Sequence, residues 1–211
     1  MTTTENPSNE TFELVDYAND PERIGEISMW NPDVSSLIHA VEDNCDAIFT
    51  WGYNKGERKP LDKLYEKAKT SQWNGQTDLD WSIEVDPDAL ASAGTRDPLE
   101  VSYFADNPES PLRKFSEKEW HQLGVESMNW SLSQFMHGEQ GALLCTAKIV
   151  ESVPWIDAKY YAATQVVDEA RHVEVFAQYL DTKLGGIGYP VNHHLGLLLD
   201  DILNDSRWDI T

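Results

Sequence analysis

His137-Gly138-Glu139-Gln140-Gly141 and, with its glutamate thirty residues further on, Val167-Asp168-Glu169-Ala170-Arg171-His172 decide how this chain folds. Midway between the two glutamates stands Pro154, in Ser152-Val153-Pro154-Trp155. Proline has no amide hydrogen and clashes with the preceding turn, so a helix cannot run through it. The spacing therefore predicts one helix ending near Glu151 and a second beginning near Asp157. Each glutamate then lies about 22 Å from the reversal at 1.5 Å per residue, and in an antiparallel hairpin the two carboxylates reach the same height. Glu169 and His172 are three positions apart and share a helix face. A carboxylate on one helix facing a Glu-x-x-His step on the next is the arrangement used by carboxylate-bridged metal sites in helical bundles.

The surrounding stripes support burial of that face. Steps of three and four from Glu139 reach Leu132, Phe135, Leu143, Thr146 and Val150; from Glu169 they reach Ala162, Gln165, Val166, Phe176 and Leu180. An apolar stripe at this period is ordinary core, and the polar interruption is its informative part. Two facing glutamates away from water call for a proton or a cation between them. The candidate metal ligands are Glu139, Glu169 and His172, and Phe135, Leu143, Thr146 and Phe176 are expected to line a pocket beside them. Asp168 and Arg171 have two readings, as solvated or salt-bridged helix residues or, for Asp168, as the acid that orients the histidine from behind. Tyr160 and Tyr161 read as packing aromatics.

From Trp130 to Leu180, through Gly138-Glu139-Gln140-Gly141 and Asp168-Glu169-Ala170-Arg171-His172, the chain resembles the first half of the ferritin-like di-iron carboxylate proteins, particularly the oxygenase and ribonucleotide-reductase-small-subunit branch. Leu64-Tyr65-Glu66-Lys67-Ala68-Lys69, Gln72-Trp73-Asn74 and Ser206-Arg207-Trp208-Asp209 are similar to bacterial ferritin-like and aminobenzoate-oxygenase-like proteins. The resemblance implies an all-α, ferritin-like helical bundle of which only the first Glu and Glu-x-x-His hairpin is present, preceded by an N-terminal helical extension. It implies Glu139 as a terminal or bridging ligand, Glu169 as a bridging carboxylate, His172 as the imidazole on one iron and Asp168 as the outlying acid. The implied cofactor is two iron ions, with manganese compatible with the same donors. The implied activity is that of a non-haem di-iron oxidoreductase or oxygenase, using dioxygen on a small organic substrate. Phe176 stands where radical-generating subunits carry a tyrosine, which argues against a tyrosyl-radical role.

A complete site of this class takes four carboxylates and two histidines, whereas one hairpin offers three donors. A missing C-terminal half would supply the rest. A homodimer would do so too, since two hairpins about a twofold axis provide the whole inventory. The ending Asp205-Ser206-Arg207-Trp208-Asp209-Ile210-Thr211 reads as a linker, so a longer protein is expected. Two other classes remain open: a ferritin-type iron oxidation or storage protein, and a non-catalytic remnant without a complete metal site.

The net charge of −21 over 211 residues excludes a nucleic-acid backbone as partner, because phosphate binding needs clustered Lys and Arg. Two cysteines, Cys45 and Cys145, make no disulfide framework and suit a reducing cytoplasm. No leader and no long apolar run is present, so neither secretion nor membrane spanning is expected.

Three regions follow: a disordered tail at 1–10, a mostly helical extension at 11–115, and the hairpin with a short C-terminal helix at 116–211. Val34 to Trp51 has a helical pattern, as does Pro60 to Trp73 with its proline in the first turn. Turns are expected at Asn74-Gly75, Asp86-Pro87 and from Gly94 to Pro98. Ser116 and Glu119 have capping-box spacing. Gly185-Gly186 and Gly188 end the second long helix, His193-His194 falls in a loop, and Leu195 to Leu203 forms a short helix.

Overall fold

The computed structural model describes residues 41, 43–93, 104, 106–186 and 188–211. The expected tail at 1–10 and the turn from Gly94 to Pro98 lie outside them. Among the described residues the chain is all-α, without strands. Five helices are delimited: α1 (Lys59–Thr70), α2 (Pro87–Ala93), α3 (Glu117–Ser152), α4 (Ile156–Lys183) and α5 (His193–Asn204), with a 3₁₀ turn at Pro111–Lys114. None of them is long and apolar enough to cross a membrane.

Helix α3 begins with the capping box: Glu119 N–H donates to Ser116 Oγ at 3.4 Å, and Ser116 N–H donates to Glu119 Oε2 at 2.7 Å. Each bond satisfies an amide that the first turn leaves free. The helix ends at Ser152, with Pro154 following, and α4 starts two residues beyond the proline. Lys159 fastens the reversal by donating to the carbonyls of Val150 and Glu151 at 2.7 and 3.0 Å. Those are C-terminal carbonyls that α3 cannot satisfy by itself. The α3–α4 pair is the main packing of the molecule, with α1 against α4, and α2 and α5 against α3.

Helix α5 sits close to α3 because Gly141 presents no side chain there. A Cβ on Gly141 would stand 2.7 Å from Leu199 Cδ1 and 3.0 Å from its Cγ. Gln134 ties down the approach to α5, donating to the Pro190 carbonyl and accepting from Asn192 N–H. At the far end of α5 the Lys148 ammonium is buried, with Nζ 2.6 Å from the Leu203 carbonyl and bonded also to the carbonyl of Asp205.

Three expectations change. The helical pattern at Val34 to Trp51 does not continue through its described part: 43–51 is irregular, and Ile48 N–H bonds the Glu151 carbonyl at 2.9 Å, a long-range partner in place of a helical one. Asp86-Pro87 opens helix α2, with Asp86 Oδ1 accepting from Asp88 and Ala89 N–H. His193-His194 is the first turn of α5, because the N-cap is Asn192, whose side chain accepts from Leu195 N–H.

Candidate metal centre

Glu139 lies thirteen residues before the end of α3 and Glu169 thirteen after the start of α4. The symmetric count places them level across the hairpin, and the structure brings Glu139, Glu169 and His172 together, one donor atom of each lying within 4.8 Å of the others. His172 Nδ1 is 3.1 Å from Glu139 Oε2 and 3.1 Å from Glu169 Oε2. The side chains are partly covered, at 27% exposed for Glu139, 15% for Glu169 and 41% for His172.

The electrostatics follow from that crowding. Burial raises the Glu169 carboxyl above its ordinary range, and Glu139 beside it pushes the same way, while His172 opposes both. Burial by itself would lower the His172 imidazole, but bonds to the two glutamates and their charge outweigh it and leave it raised. One imidazole nitrogen thus faces two carboxylate oxygens, and a single N–H cannot serve both fully. Donor atoms about 2.1 Å from a metal ion and at right angles are about 3.0 Å apart, close to the two separations seen here. Two carboxylate oxygens and an imidazole nitrogen form a donor set that a divalent metal ion could use.

Asp168 does not orient the histidine. Its carboxylate pairs with Arg171, which is buried and also donates to Gln72 Oε1 at 2.8 Å and to the Trp73 carbonyl at 2.9 Å. Positions 168 and 172 are four apart and so lie near one another on α4; it is the pairing with Arg171, and not the helical spacing, that takes the Asp168 carboxylate elsewhere.

The four residues expected to line a pocket separate. Phe135 and Phe176 stack on one another, centroids 6.2 Å apart, on the side of the ligands away from the reversal; Phe135 is 60% exposed. Thr146 lies on the other side and lines a cavity of about 440 Å³ with Ile149, Val153, Ala162, Gln165, Trp155 and Trp208. Leu143 is half-buried between them and does not line this cavity. Gln165 is one turn from Glu169 on the same helix face, so the cavity begins next to the ligands. Tyr161 lines it too, and Tyr160 stacks on Tyr65.

A second group, Asp43, Cys45 and Glu151, also brings three donor atoms together. Lys148 lies 3.7 Å from Asp43, which places a positive charge beside it. His193 is half-buried and His194 exposed, their rings 5.3 Å apart.

No family model matches the chain, and neither a curated protein nor a solved structure matches it.

Proposed function

We propose that the α3–α4 hairpin is the metal-binding half of a ferritin-like, non-haem di-iron oxidoreductase acting with dioxygen on a small organic substrate. The observation that carries this reading is the convergence of Glu139 and Glu169 on His172 Nδ1 at 3.1 Å each. Three donors suit one divalent ion per hairpin. Bound iron would supply the electrons and open coordination positions for reducing dioxygen, and the chain's own part is to hold the ion, exclude water and receive the substrate.

The rest of the coordination shell comes from outside this hairpin. A second copy in a homodimer or a second hairpin would supply it, and the partial exposure of His172 together with the exposed Phe135 is compatible with such an approach. The cavity beside Gln165 is walled mostly by apolar side chains. That favours an organic substrate over simple iron storage, which needs no apolar chamber.

Native mass spectrometry after anaerobic loading with ferrous iron tests the reading. A chain in a twofold dimer binds about two irons per dimer, one per hairpin, and Glu169→Ala or His172→Ala abolishes binding. Iron retained by both variants would remove these residues as ligands.

A further inference from the structure

Metal-bound histidines are held in orientation through the ring nitrogen that does not face the metal, usually by a carboxylate or a carbonyl. With Nδ1 of His172 directed at Glu139 and Glu169, and Asp168 committed to Arg171, that arrangement is not built among the described residues. A flat aromatic lies beside the ring instead: the Trp73 indole has its centroid 6.3 Å from that of His172, with the planes inclined by 32°.

Trp73 is firmly placed. Arg171 donates to its carbonyl and to Gln72, and the guanidinium carbon sits 5.2 Å from the indole centroid. Two residues on, Gly75 rests flat on α4; a Cβ there would come 2.8 Å from Val175 Cγ2 and 3.6 Å from Trp73 Cζ3. Gln76 then donates to Glu174 and Gln178, and Lys183 donates to the Trp81 carbonyl. The whole loop from 72 to 81 is strapped along α4, and its largest ring is delivered to the level of the donors.

We infer that Trp73, held by Arg171, is the positioning residue for His172: the indole fixes the plane of the imidazole and covers one side of it from water. The effect on metal binding rests on the proposed metal centre, whereas the ring–ring contact does not. The same chain of contacts gives Arg171 a purpose that its charge alone would not explain, since it joins the loop to the residue adjoining a donor.

Two measurements separate these claims. In the metal-free chain, nuclear magnetic resonance of the His172 ring protons reports the ring current of Trp73. This shift is lost in Trp73→Leu and kept in Trp73→Phe. With Co²⁺ as probe, Trp73→Leu weakens binding about tenfold or more and alters the visible cobalt bands, while Trp73→Phe stays within about threefold of the parent. Arg171→Lys keeps the charge and the indole but loses the donor fork; it reproduces part of the loss, and it carries the test if Trp73→Leu fails to fold. Ring shifts and cobalt affinity unchanged in Trp73→Leu and Arg171→Lys overturn the inference. A parent chain that takes no Co²⁺, yet shows the ring shift lost in Trp73→Leu, overturns the metal reading and leaves the orientation of His172 by Trp73 standing.

Discussion

Helix α3 carries two polar centres, Lys148 and Glu139, nine residues apart, and they are finished in different ways. Lys148 is 2% exposed, and its ammonium meets the carbonyls of Leu203 and Asp205, with Ile202 at 3.5 Å. An ammonium has three protons, so this centre is saturated by protein atoms. Those carbonyls close α5, where the partial negative charge of a helix end favours a cation. At the other centre two carboxylates share one imidazole N–H, and acceptor sites outnumber the protons available to them. A saturated centre holds the fold together. The other keeps acceptor capacity that a shared proton or a cation would fill.

The comparison breaks first at Lys148. Lys148→Met removes the charge and leaves buried carbonyls at the end of α5 without a donor, costing roughly 3 kcal/mol, read as a lower urea midpoint. Binding at the proposed metal centre, nine residues away, stays within about twofold, because distant sites with no shared partners act independently. A loss of stability well under about 1 kcal/mol would show that the carbonyls find water, and Lys148 would no longer count as a finished centre.

Much of the hairpin was legible in the sequence, because it is written in local rules: a proline that stops a helix, a Ser-x-x-Glu box that starts one, and a residue count that levels Glu139 with Glu169. The class of fold followed from the same rules. What sequence reading missed depends on partners far along the chain. Lys148 sits on an unremarkable turn of α3, and only α5 makes it structural. Asp168 had two open readings, and Arg171 decided between them. Trp73 was visible as part of a motif but had no assigned neighbour, since its contact with His172 spans about a hundred positions of chain. At 43–51 the apolar spacing suggested a helix, yet Ile48, Phe49, Thr50 and Trp51 are poor helix formers in succession. There the Glu151 carbonyl supplied an alternative partner for Ile48.

A smaller effect is expected at Gly141, which sets how closely α5 lies on α3 and hence how well Lys148 reaches its carbonyls. Alanine at 141 gains about 1 kcal/mol in helix propensity but collides with Leu199, an overpacking cost of about 1–3 kcal/mol. The expected result is a net loss on the order of 1 kcal/mol in urea unfolding. Gly141→Ala with Leu199→Ala recovers part of the collision cost, which shows that the clash itself, and not the backbone, is responsible. A stabilised Gly141→Ala would mean that α5 shifts freely, and the saturation of Lys148 would then be less exacting than its geometry indicates.

The reversal offers the finest test, through pH. Asp157, buried at the start of α4, accepts the backbone N–H groups of Gly56 and Arg58 at 2.9 and 2.8 Å. Gly56 itself is in the left-handed region at φ +87°, which suits glycine. These backbone bonds hold the Asp157 carboxyl below its ordinary value of 3.8, with nearby Lys55 and Arg58 acting in the same direction. A carboxyl lowered in the folded state adds stability that is fully present above pH 3.8 and lost as pH falls through the depressed value. Asp43, Glu66, Asp80, Glu119 and Asp209 are lowered too, so the parent's acid response is a sum, and the difference between parent and Asp157→Asn isolates one member. The variant is expected to be less stable at pH 7 and to lose less on acidification, so that the two unfolding curves converge toward pH 2. Parallel curves across that range would show that the carboxylate charge contributes nothing at the reversal, leaving Lys159 and the apolar contacts of Val153 to close that end of the hairpin.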